Sequence, residues 1–122
     1  MVHMRWEVDT TRIDGWLATL DRATVLLVRA ALEVLADSGP GLGRPLVDRI
    51  KGSKFHNMKE LRPGSSGTSE LRILFIFDPE RSAITLVGGN KEGQWDAWYK
   101  AAITEADALY DAHLATIEEP LK

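Results

Sequence analysis

Three short runs between residues 57 and 91 each carry a cation in or beside them: Lys59 and Arg62, then Arg72, then Lys91. Arginine presents a planar fork that matches phosphate or carboxylate, and lysine presents a compact point charge. Gathered on one surface, such groups would hold an anion and stabilise charge developing on it. The sequence offers Arg62 and Arg72 a second use as ordinary ion-pair partners of Glu60 and Glu70, which stand two residues away. Histidine moves protons near neutrality, so His56 is a candidate for proton transfer as well as a plain exposed residue, with Lys59 an equal rival.

The stretch holding these residues alternates strand-like runs with turn chemistry. Ser65-Ser66-Gly67-Thr68 separates the first two runs, and Asp78-Pro79-Glu80-Arg81-Ser82 separates the last two. Such connections predict hairpins and hence an antiparallel meander. In the middle run, alternation puts Leu71, Ile73, Phe75 and Phe77 on one face, and Arg72, Leu74, Ile76 and Asp78 on the other. Both faces are apolar at the centre, which predicts an internal strand covered on both sides, with Arg72 near its end. Parity in the first run groups His56, Glu60 and Arg62 against Asn57, Lys59 and Leu61, so Lys59 and Arg62 converge only if the strand bulges or stops at Pro63. Gly88-Gly89 is expected to end the last strand and redirect the chain.

Helices must cover this sheet. Arg5–Val8 is long enough only for a short edge strand. Ile13, Trp16, Leu17 and Leu20 follow Asp9, Thr10 and Thr11 at helical spacing, with one of these three as cap. Asp21 is a second N-cap candidate. Ala23 to Leu35 is apolar around most of its circumference, with Arg29 and Glu33 on the wet side, and Ser38-Gly39-Pro40 ends it. The result is a short strand and an α-hairpin. Residues 40–54 are expected to be a loop with an extended piece near Val47–Lys51. After Asn90, a candidate N-cap, an apolar stripe from Trp95 through Trp98, Tyr99, Ala102, Ala106 and Tyr110 to Ile117 predicts a long C-terminal helix, bending or restarting at Thr104-Glu105, with its acids outward. His113 lies on that stripe and is expected to be structural.

With 122 residues the chain has room for one domain, and 44% hydrophobic with 27% charged residues suits a soluble globular one. The absence of cysteine excludes disulfides, thiolate nucleophiles and zinc–thiolate sites. No pair of carboxylates or histidines has defensible metal-site spacing, and neither a metal nor another cofactor is expected. Without an apolar leader or a run of about 18 apolar residues, a cytoplasmic location is expected. Met1-Val2-His3 can be a vector remnant, with Met4 the natural start. The net charge of −3 hides a split: residues 41–72 hold seven Lys/Arg and three Asp/Glu, whereas residues 101–122 hold one and five. This gives one surface a local positive field.

In Lys59-Glu60-Leu61-Arg62-Pro63-Gly64, Leu71-Arg72-Ile73-Leu74-Phe75, Asp78-Pro79, Gly88-Gly89-Asn90-Lys91 and Trp95 followed by Trp98-Tyr99, the chain resembles the RelE/ParE superfamily of toxins, in its HigB-type, phage-derived branch. The motifs are short, their ordered combination is specific, and with the upstream hairpin the resemblance covers essentially the whole chain. It implies one α+β domain over residues 1–122, a twisted antiparallel sheet of three or four strands flanked by an N-terminal helical hairpin and a long C-terminal helix.

The resemblance also implies an activity: metal-independent cutting of mRNA on the ribosome, with the ribose 2′-hydroxyl as nucleophile, switched off by a cognate antitoxin. Such a reaction needs alignment, a proton acceptor, charge stabilisation on the phosphorane and a proton donor for the leaving oxygen. By position, Arg62, Arg72, Lys91 and Tyr99 match the family's active-site region, with Lys59 and His56 as further catalytic candidates. Arg49, Lys51, Lys54 and Trp95 are the RNA-binding candidates. The general base has no clean match. The expected partners are mRNA on the ribosome and a helix-turn-helix antitoxin, through which operator DNA would be bound. The acidic total departs from strongly basic ribosome-dependent members. The rival functions are a ParE-like inhibitor of DNA gyrase and a relative that only binds its partner.

Overall fold

Leu71–Phe77 is the middle strand, β4, of a five-stranded sheet in the computed structural model, which describes residues 5–64, 70–91 and 95–118. The other strands are β1 (Glu7–Asp9), β2 (Val47–Arg49), β3 (Lys59–Leu61) and β5 (Ser82–Asn90), in the order β1-β5-β4-β3-β2. The predicted meander is β3-β4-β5, antiparallel throughout. The sheet exceeds the expected three or four strands at both margins. β2 pairs antiparallel with β3, and β1 pairs parallel with β5, so the sheet is mixed. Both edge strands have only three residues, a length at which alternation gives little signal. The connection containing Ser65–Thr68 lies outside the described residues.

The alternation of β4 holds. Ile73 and Phe75 join Val28, Leu35 and Leu61 beneath one helical layer, while Leu74 and Ile76 join Ile84, Leu86, Ala106 and Tyr110 beneath the other. The first layer is α1 (Asp14–Leu17), entered by a 3-10 turn at Thr11–Ile13, and α2 (Arg22–Ser38). The second is α3, Trp95–Glu118. The first arm of the predicted hairpin is a single turn, because the Thr19 hydroxyl and amide both take the Trp16 carbonyl and close the helix. Asp21 caps α2 as expected, accepting the Thr24 amide at 2.7 Å, and Gly39 ends it at a φ of 64°.

Three expectations fail for physical reasons. Gly88 and Gly89 do not end the last strand but lie inside β5, paired with Ile73 and Arg72. Their missing side chains admit a tryptophan on each face: a Cβ at Gly88 would sit 2.3 Å from the Trp16 ring, and one at Gly89 would sit 2.5 Å from the Trp98 indole nitrogen. Asn90 closes β5 rather than capping α3. Finally, α3 runs unbroken through Thr104, whose hydroxyl bonds back to the Lys100 carbonyl. Gly88→Ala is therefore expected to cost about 1–3 kcal/mol by overpacking, seen as a lower thermal midpoint.

His113 is structural, as expected. Its Nε2 lies 2.8 Å from the buried Asp78 carboxylate, and its Nδ1 lies 3.4 Å from the Arg12 guanidinium. Asp78 in turn accepts the amides of Glu80 and Ser82 and so shapes the β4–β5 turn. The acids of α3 are not all on its free outer side. Asp107 accepts the Ser53 hydroxyl and the Lys54 amide, and Asp111 pairs with the Lys54 ammonium, so together they clamp the loop between β2 and β3.

Candidate functional site

Glu60 is the point at which the two arginines meet. β3 sends Lys59 and Leu61 toward α2 and Glu60 toward α3, and Arg62 follows Glu60 in parity. Leu61 pairs with Ile73, so continuing the register sets Arg62 beside Arg72. Two guanidiniums side by side repel unless an anion lies between them. Glu60, 3% exposed, is that anion: its Oε2 accepts from Arg62 at 2.8 Å, and its Oε1 stands 3.4 Å from the Arg72 Nε. The buried Arg72 Nε completes no hydrogen bond, while its Nη1 donates to the Leu71 carbonyl. Asp48 on β2 extends the chain of charges, touching Arg62 at 3.1 Å and Arg44 at 3.8 Å.

Tyr99 closes the cluster from α3, its hydroxyl donating to Glu60 Oε1 at 2.5 Å. Burial, then the Glu60 carboxylate, push the Tyr99 phenol up to about 12. Arg62 is held more firmly charged, first by its hydrogen bond to Glu60. At neutral pH the cluster therefore combines cationic forks with a phenol that keeps its proton. Trp98 packs edge-on against Tyr99 at 5.1 Å and occupies the space left by Gly89. A tyrosine whose pKa is higher when folded favours the native state at pH below about 10 and loses that contribution as pH rises toward 12. Burial raises Tyr110 as well, so both tyrosines of the native chain are expected to form phenolate above the pKa of 10.0 typical of the free side chain. Ultraviolet titration of native and unfolded protein measures this directly.

The remaining candidates are placed elsewhere. Lys59 is on the opposite face of the sheet, over the Phe77 ring and within 3.4 Å of the Pro40 carbonyl, because its parity is that of Leu61. His56 is not in β3; it is exposed in the preceding turn, near the Phe77 end of β4 and away from Arg72. Lys91 lies at the Arg72 end of the sheet but is fully buried, its Nζ 2.6 Å from Glu70. The expected pairing of both arginines with acids exists, but its anion is Glu60 for both, and Glu70 pairs with Lys91 instead. Arg49 and Lys51 are exposed and make no ion pair among the described residues, whereas Lys54 is tied to Asp111. Trp95 opens α3, and its side chain lies outside the described residues. Among the described residues, no group of three His, Asp or Glu side chains could hold a metal ion, and no helix is long and apolar enough to cross a membrane.

Sequence reasoning missed Glu60 and Asp48 as site components. The signal for Glu60 was available, since an acid sharing parity with Arg62 lies on the face that Arg72 occupies one strand away.

A mixed sheet between two helical layers, with paired arginines under the start of the last helix, defines a RelE-like α+β domain. The chain belongs to the family described as "Phage derived protein Gp49-like (DUF891)", which matches residues 15–111. It is similar to two proteins of Mycobacterium tuberculosis. One, named "Putative toxin HigB2", is 56% identical over 114 residues, covering 93% of this chain and 57% of that protein. The other, named "Putative toxin HigB3", is 48% identical over 105 residues, covering 86% of this chain and 90% of that protein. The chain thus spans little more than half the length of the first relative and nearly all of the second. The HigB-type resemblance drawn from the motifs holds.

Proposed function

We propose that this single-domain chain is the toxin of a toxin–antitoxin system and cuts mRNA, on the ribosome and without a metal, at the Glu60–Arg62–Arg72–Tyr99 cluster. The observation that carries this reading is the convergence of two arginines and a protonated phenol on one buried carboxylate. The names of the two mycobacterial relatives support the toxin role.

The chemistry follows from the geometry. A substrate phosphate competes with Glu60 for the guanidinium forks and draws them onto its own oxygens, where they stabilise the phosphorane. Glu60, released, accepts the proton of the 2′-hydroxyl as that oxygen bonds to phosphorus. Tyr99 gives its proton to the departing 5′-oxygen as the P–O5′ bond breaks, and it recovers one from Glu60. The products are a 2′,3′-cyclic phosphate and a 5′-hydroxyl. Neither His56 nor Lys59 has a part in this scheme, and Lys91 holds Glu70 rather than substrate. Arg49 pairs in register with Lys59 and lies with it on the α2 side of the sheet, so it too stands outside this scheme. An antitoxin covering the cationic cluster would switch the activity off, and an acidic segment would dock on it fastest.

Inducible expression followed by mapping of transcript ends tests the reading. Growth arrest with clustered cuts inside translated messages is the expected outcome. Double-strand DNA breaks with intact transcripts would assign the chain to gyrase inhibition instead.

A further inference from the structure

We propose that the chain self-associates through the outer face of α2, packed antiparallel on the same helix of a second copy. This inference is independent of the RNA chemistry. The only exposed large hydrophobic residues among those described, Leu26 at 56% and Val34 at 42%, both lie on α2. They are eight residues apart, and exposed Ala30 stands midway, so the three line one stripe along the helix. Ala30 is small enough to let a second helix approach closely at the crossing point.

The charges beside the stripe identify the occupant. Arg22 lies in the first turn and Asp37 in the last, with no acid in the first turn and no base in the last. Arg29 stands before Ala30, and Glu33 follows it. The N-terminus is answered by its Asp21 cap, but at the other end Asp37 stands where the helix dipole favours a cation. A two-fold axis at Ala30 brings a cation to that C-terminal end. Leu26 then meets the second copy's Val34, Arg22 comes beside the second copy's Asp37, and the two helix dipoles run antiparallel. Arg22 and Arg29 have no ion-pair partner among the described residues, and Glu33 and Asp37, though paired with Arg5, keep much of their side chains exposed. A self-complementary patch of this kind is what a two-fold interface requires. α2 covers the face of the sheet opposite to α3, so the Glu60 cluster of each copy stays open. Contact through one helix pair belongs to the weak end of interface sizes, so a micromolar-range dissociation constant is expected.

Sedimentation velocity on the full chain, from low micromolar to near-millimolar concentration, tests this. Wild type is expected to pass reversibly from monomer to dimer. Leu26→Asp or Val34→Asp is expected to raise the dissociation constant at least about tenfold, with the thermal midpoint unchanged because both positions are exposed. Charge exchange supplies the second arm: Arg22→Glu and Asp37→Arg each weaken the dimer, and the double variant restores it. A wild-type chain that stays monomeric throughout, or a dimer indifferent to Leu26→Asp and to the charge exchange, would overturn the proposal. In either case the stripe would belong to another occupant, or the dimer to another surface.

Discussion

Arg72→Ala is expected to lower RNA cleavage by at least about 10²-fold, the usual loss when one preorganised donor to a developing oxyanion is removed. The side chain is 12% exposed and shares Glu60 with Arg62 and Tyr99, so the substitution also leaves a buried carboxylate with one cation fewer. Some stability is lost with it. Arg72→Lys separates the two effects. It keeps a charge near Glu60 and should recover most of the thermal midpoint, but it lacks the planar fork and should recover little of the rate. Initial rates and melting curves for the three proteins read both quantities, and wild-type cleavage by a folded Arg72→Ala protein would place the chemistry elsewhere.

Glu60→Gln is expected to damage fold and activity together. The carboxylate sits at 3% exposure between two guanidiniums and a phenol. Neutralising it removes the anion that lets Arg62 and Arg72 lie side by side, at a cost of about 3 kcal/mol by analogy with broken buried pairs. It also removes the proton acceptor for the 2′-hydroxyl and the partner that holds Tyr99. Glu60→Asp retains the charge with a shorter reach, so it should recover stability more completely than rate. If Glu60→Gln melted and cleaved like wild type, neither the pairing nor the proton route would stand.

The fold was legible where pattern length exceeded the period being sought. Seven alternating residues in β4 defined a covered central strand, and the long apolar stripe defined α3. Three-residue strands such as β1 and β2 carry too little pattern to fix a partner or a direction, so the parallel pairing of β1 with β5 was not visible. Gly88-Gly89 misled because glycine in a strand has two meanings, a stop or a close approach. Only the packing of Trp16 and Trp98 against the strand decides between them.

At the site, parity grouped Arg62 with Glu60 and separated both from Lys59, but that Arg72 shares their face follows only from the β3–β4 register, in which Leu61 lies opposite Ile73. The exclusion of His56 required knowing that β3 starts only at Lys59. The role of Glu60 was hidden because it was weighed as a neutraliser of a neighbouring cation and not as a group that positions two cations and a phenol. Burial of Lys91 against Glu70 joins β5 to the residue preceding β4, a contact that no local pattern announces.

The most direct test of the central claim is the chemistry of the ends left on a translated mRNA cut by the purified chain. Wild type is expected to leave 2′,3′-cyclic phosphate or 3′-phosphate together with 5′-hydroxyl ends, under divalent-ion chelation adjusted to keep ribosomes intact. Fragments ending in 3′-hydroxyl would mean that activated water, not the neighbouring ribose oxygen, attacks the phosphate. That result would contradict the assignment of Glu60, Arg62, Arg72 and Tyr99 as the reaction centre.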